Sequence, residues 1–129
     1  MVTAPITASL RWNSTGVTIA GETGVSGKND SLLRYPYGLA FDSSNTLHIA
    51  DYGNHRIQKL ITGTSKTVTV AGSSNGTLGN TTDLLYAPAD ILFDTNDNLY
   101  IADRENNRVQ FWTKGASSGI TVAGKKQYI

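Results

Sequence analysis

The chain has 129 residues, is 39% hydrophobic, and sets 11 lysines and arginines against 10 aspartates and glutamates, for a net charge of +1. That length allows one ordinary domain, and the even charge argues against the broad basic face with which proteins hold nucleic acids or anionic membranes. With no cysteine, neither a disulfide nor a cysteine-ligated zinc can brace the fold, and no run of about 18 apolar residues offers a membrane span.

The opening "MVTAPITASL" lacks a basic start followed by an apolar stretch, so it does not read as a signal peptide. Sequons at Asn13, Asn29, Asn75 and Asn80 tilt the compartment toward the extracellular side. An Asn-, Ser- and Thr-rich chain produces some of them by chance, however, and leaves localisation open. "SLRWNSTGVTIAG" (9–21) resembles the later "VQFWTKGASSGITVAG" (109–124), so residues 1–21 are read as part of a unit whose beginning is missing. "GETGVSGKND" (21–30) evokes a phosphate-binding loop but has Glu22 where the first glycine belongs and Asn29 where the magnesium hydroxyl belongs. It is expected to be a flexible connection.

From residue 36 the pattern is that of strands. "GLAFD" (38–42), "LHIAD" (47–51), "RIQKL" (56–60) and "TVTVAG" (67–72) run apolar or alternate, with turn formers between them: "DSSN", "YGN", "TGTS". The series then repeats. Pro36, Phe41, Asp42, Asp51 and Arg56 recur as Pro88, Phe93, Asp94, Asp103 and Arg108, every pair 52 apart, and "VTIAG" (17–21) returns as "VTVAG" (68–72) and "ITVAG" (120–124). No helix of useful length is predicted. Four short strands in about 50 residues is the plan of a propeller blade. The expected fold is all-β, with four-stranded antiparallel meanders as blades: a partial blade (1–21, strands three and four), whole blades at 22–72 and 73–124, and a tail (125–129).

The unit resembles the NHL repeat through Pro-x-Gly-Leu-Ala-Phe-Asp (36–42), Leu-His-Ile-Ala-Asp (47–51) and Asn-His-Arg-Ile-Gln (54–58). The second copy departs from it with Asn107, Val109 and the pair Ala89-Asp90. The resemblance implies a propeller module, most simply one that binds or scaffolds other proteins. Family relatives include metal-dependent lyases and RNA-binding propellers. The two histidines here, His48 and His55, are too few for the former, and the neutral charge argues against the latter.

Asp51 and Arg56, repeated as Asp103 and Arg108, are expected to fix a tight turn, because a structural device is copied with each blade whereas a catalytic one is needed once per site. His55 becomes Asn107 and His48 becomes Tyr100, so neither position demands an imidazole, and no metal or cofactor is expected. "DTNDN" (94–98) lacks the glycine and the closing glutamate of a calcium loop. Asp94 and Asp97 are read as exposed, and Trp12 and Trp112 as packing between blades. No catalytic residue is assigned.

In an antiparallel meander the connections 22–34 and 73–85 share a face with the turns 52–55 and 104–107, opposite the turns 42–46 and 94–98. Arg34, Tyr35, Tyr52, His55, Tyr86 and Arg104 are the candidate partner-binding residues on that loop face. A propeller needs about four to eight blades, so two blades are expected either to associate with further copies of the chain or to be part of a longer array.

Overall fold

A computed structural model describes residues 11–124. It contains eight strands: β1 (Pro36–Phe41), β2 (Leu47–Asp51), β3 (Arg56–Leu60) and β4 (Thr67–Gly72), then β5 (Pro88–Phe93), β6 (Leu99–Asp103), β7 (Arg108–Trp112) and β8 (Ile120–Ala123). They form two antiparallel four-stranded meanders, β1-β2-β3-β4 and β5-β6-β7-β8. These are the two blades, and β1 packs along β5. Among the described residues no helix is long and apolar enough to cross a membrane. The tail at 125–129, and residues 1–10 of the partial blade, lie outside the described residues.

Register repeats with sequence. Asp51 lies opposite Arg56 as Asp103 lies opposite Arg108, and a bulge interrupts β1 between Pro36 and Leu39 and β5 between Pro88 and Asp90. Such bulges let one strand carry an extra residue and bend locally. The turns after β2 and β6 are single 3₁₀ turns, Tyr52–Asn54 and Arg104–Asn106, each closed by a left-handed residue, His55 at φ 56° and Asn107 at φ 52°. Two further left-handed corners recur in each blade: Tyr35 and Ala87 (φ 49° and 53°), and Asn45 and Asp97 (φ 58° and 60°).

The core gathers Ala50, Ile57 and Ala71 of the first blade with Leu85, Ile91, Leu99, Ile101 and Trp112 of the second. It therefore lies across the joint, because a thin sheet that is apolar on both faces cannot bury itself alone. Trp112 is seated here with its indole N–H donating to Ala116 O at 3.1 Å. Trp12 is not: it is 99% exposed, which corrects the expectation that both tryptophans pack between blades. Val17 and Ile19 are exposed as well, and no strand forms over 11–20. Strands three and four of a blade need the first two to lie against, and neither described sheet pairs with 11–20.

One buried orphan has a direct explanation. In the first blade Gln58 donates to the Thr67 hydroxyl at 2.8 Å and accepts from Thr69 at 2.6 Å. In the second, Gln110 accepts from Thr121 at 2.6 Å, but its amide N–H₂ is buried without a partner. The counterpart of Thr67 is Gly119, and a Cβ there would strike the Trp112 ring. The indole occupies the volume that the hydroxyl would need.

Candidate functional site

Two copies of one polar device organise the loop face. Asp51, fully buried, accepts the Arg34 N–H at 2.7 Å through Oδ1, and through Oδ2 accepts Asn54 Nδ2 at 2.9 Å and Arg56 Nε at 2.8 Å. The rest of the Arg56 guanidinium donates to four backbone carbonyls: Lys28 and Ser74 (both 2.8 Å), Asn29 (3.1 Å) and Leu32 (3.3 Å). Asn54 adds a bond to Gly27 O at 2.6 Å. In the second blade Asp103 accepts the Tyr86 N–H, Asn106 Nδ2 and Arg108 Nε at 2.7–2.8 Å, and Arg108 donates to the carbonyls of Asn80, Thr81 and Leu84, all at 2.9 Å.

The arginine therefore does more than close its own turn. It gathers carbonyls of the connection entering the blade, Arg56 reaching also Ser74 beyond β4, and the aspartate, paired with the arginine as expected, receives a backbone N–H from that connection. The segment 21–30, expected to be flexible, is held by these bonds and by Thr67 N–H donating to Asp30 O at 2.7 Å. Asn54 and Asn106, which sequence reasoning passed over, complete the device. Their signal was present in the recurrence of Asn three residues after each aspartate.

With the connections pinned, four of the six loop-face candidates, Tyr52, His55, Tyr86 and Arg104, come together at the joint between blades, while Arg34 and Tyr35 lie beside each other on the first blade. The Tyr52 hydroxyl accepts Arg104 Nη1 at 2.6 Å, the Arg104 guanidinium sits 5.8 Å over the Tyr52 ring, and Tyr37 stacks on Tyr52 at 4.7 Å. His55 crosses the joint: Nδ1 accepts the Ala87 N–H at 3.0 Å, and its ring meets Tyr86 edge-on at 5.4 Å. Arg34 lies 5.9 Å over Tyr35. Arg34, Tyr35, Tyr86 and Arg104 are exposed, while Tyr52 and His55 are half-buried.

The opposite rim is a cavity of about 580 Å³ between the blades, lined among others by Asp42, His48, Lys59, Phe93, Asp97 and Lys114. Asp97, expected to be exposed, is buried: it accepts the Ser43 N–H at 2.8 Å and the Ser43 hydroxyl at 2.6 Å from the other blade, and Lys114 Nζ at 3.1 Å. The Ser43 hydroxyl and N–H, with Lys114, hold its carboxyl down to about 2. Asp94, also expected to be exposed, is half-buried and holds its hairpin, accepting the N–H groups of Asn96 and Asn98 at 2.9 Å. His48 is buried, with Nε2 3.1 Å from Asp42 Oδ2 and its ring against Phe93 at 4.6 Å. Among the described residues no three metal-ligating side chains gather.

Both histidines titrate below their ordinary value: His48 because it is buried, His55 because it is buried and close to the Arg34 charge. A histidine of lowered pKa binds protons more weakly when folded, so its contribution to stability is complete above the unfolded value of about 6.5 and is lost as pH falls through it. The urea midpoint is expected to be level above pH 7 and to fall between about pH 6.5 and 5. The His55→Asn and His48→Tyr substitutions, each copying the other blade, should remove part of that slope. A midpoint that rises on acidification would contradict this account. A second loss is expected only below about pH 4, where the unfolded chain takes up a proton that the folded Asp97 carboxyl, held down to about 2, does not.

Comparison with known proteins places the chain beside a repeat family and a plant protein. The NHL repeat profile fits residues 33–60 and 85–111. The Arabidopsis thaliana protein named "Protein SUPPRESSOR OF QUENCHING 1, chloroplastic" is 30% identical over 94 residues, covering 69% of this chain and 9% of that protein. The chain thus spans less than a tenth of the length of that relative.

Proposed function

Because residues 33–60 and 85–111 are NHL repeats and the chain belongs to that repeat family, we propose that it is a non-enzymatic protein-interaction module that engages its partner through the loop face and associates with further copies of itself. One observation carries the reading: Tyr35, Tyr86, Arg34 and Arg104 remain exposed on backbone that buried aspartate–arginine devices hold rigid. Aromatic and arginine side chains are the usual anchors of protein interfaces, and a fixed base spares the cost of ordering the backbone that carries them. The match to the Arabidopsis protein concerns 9% of its length and carries nothing of the rest.

A random-peptide phage library panned on the immobilised chain tests the proposal. Selected peptides should lose at least about tenfold in affinity, roughly 1.4 kcal/mol, on Tyr86→Ala or Arg104→Ala. They should be unaffected by Lys59→Ala on the opposite rim. Peptides indifferent to the loop-face changes would refute it. Stoichiometric metal in the purified chain would favour a lyase instead, and single-stranded RNA binding that weakens steeply with salt would favour an RNA reader.

A further inference from the structure

The joint inside the chain is a template for one outside it. On β5, Ile91 is buried in the core and the Phe93 ring lies against His48 of the first blade at 4.6 Å. One repeat earlier on the same face of β1 stand Leu39 and Phe41, and these are 60% and 63% exposed. The outgoing side shows the same contrast. Ala40 of β1 packs onto the core, while its counterpart Leu92 on β5 is 57% exposed. The two bare faces are unlike each other, and they are the two halves of a joint that the molecule already makes once.

We propose that a second copy of this chain covers the bare face of β1 with its β5 and β6, head to tail. This deepens the self-association proposed above by naming the partner, its orientation and its contacts. Moving each internal contact by one repeat gives the external one. His48 against Phe93 becomes Tyr100 against Phe41. Ser43 donating to Asp97 becomes Thr95 donating to the side-chain carbonyl of Asn45, which holds the same left-handed corner as Asp97. His55 accepting the Ala87 N–H becomes the Asn107 side chain accepting the Tyr35 N–H, again between residues of matching backbone.

Two contacts survive the shift with their ends exchanged. Tyr52 and Arg104 are each other's counterparts, so the external joint again pairs an arginine with a tyrosine. Gly38, where a Cβ would lie 2.8 Å from Asp90 Cα, has Asp90 as its own counterpart, so a glycine again faces an aspartate. One apolar residue is bulkier, Leu92 for Ala40, while Leu39 and Ile91 are isomers of equal volume, so the external joint sits wider at Leu92 while burying two faces that water now meets. A contact of this kind joins unlike surfaces and propagates, into a ring where its rotation closes and into an open filament where it does not.

The chain has no cysteine, so single-cysteine variants give an unambiguous test. Phe41→Cys and Tyr100→Cys chains, mixed and treated with a short bis-maleimide, should give cross-linked dimers in at least tenfold higher yield than either variant alone. Adding Leu92→Lys to the Tyr100→Cys chain, at an exposed position that leaves the circular dichroism unchanged, should abolish the product. Light scattering on the wild-type chain reads self-association separately. An oligomer without the mixed cross-link would overturn the head-to-tail joint and leave self-association standing. A monomer at every concentration would overturn both.

Discussion

Replacing Arg56 with alanine is expected to lower the unfolding free energy by about 3–5 kcal/mol, the range seen when one partner of a buried ion pair is removed. The side chain is 2% exposed and Asp51 fully buried, so alanine leaves an uncompensated carboxylate and strips four carbonyls of their donor. For a domain whose total stability is about 5–15 kcal/mol, that is a large share. Arg108→Ala should cost less, because its side chain is 10% exposed and its guanidinium serves three carbonyls. Urea unfolding followed by fluorescence reads both, with buried Trp112 reporting the transition and exposed Trp12 giving a constant background.

A companion variant separates this device from a simple ion pair. Substituting apolar residues for both members of a buried pair is often neutral. Here Asp51→Leu with Arg56→Leu should recover little, since the Arg34 N–H and the carbonyls of residues 28, 29, 32 and 74 remain without partners. Full recovery would mean that those carbonyls find water and that the arginine pins nothing.

The second large effect is expected at Gly72. It closes β4 at φ 80°, and a Cβ there would stand 2.5 Å from His55 O and 3.1 Å from Arg56 Cα. Gly72→Ala therefore combines left-handed strain of about 1–2 kcal/mol with displacement of the backbone that carries Arg56, and roughly 3 kcal/mol in total is expected. Gly63→Ala is the control. At φ 77° with nothing within 4 Å, it should incur the strain alone. Equal midpoints for the two variants would show that the close approach of β4 to Arg56 is not needed.

The fold was legible because repetition is a long signal. Alternating strands, "DSSN" against "DTND", and the glycine of "VTIAG", "VTVAG" and "ITVAG" all recur in phase, and each of those glycines has positive φ (78°, 80° and 85°). The aspartate–arginine pairing was legible for the same reason. The reach of Arg56 into residues 28–32 was hidden because its acceptors are backbone carbonyls, which every residue possesses and none advertises. The burial of Asp97 was hidden because it depends on Ser43 across the joint, and Asp97 has no charged counterpart, Asn45 standing in the first blade. Trp12 illustrates the converse: sequence gives a residue its repeat position, but only a neighbouring blade can give it cover.

The three left-handed corners of each blade bear on how such a protein can be diversified. At 35 and 87 the backbone tolerates tyrosine and alanine, and at 55 and 107 histidine and asparagine, with the path of the chain unchanged. At the exposed position 35 handedness is what must be preserved, so that vertex can exchange recognition groups as long as β-branched residues, which resist positive φ, are kept out, whereas 55, 87 and 97 also carry the joint between blades. A library randomised at the exposed position 35 under that single constraint would vary what the surface recognises while the scaffold beneath it stays intact.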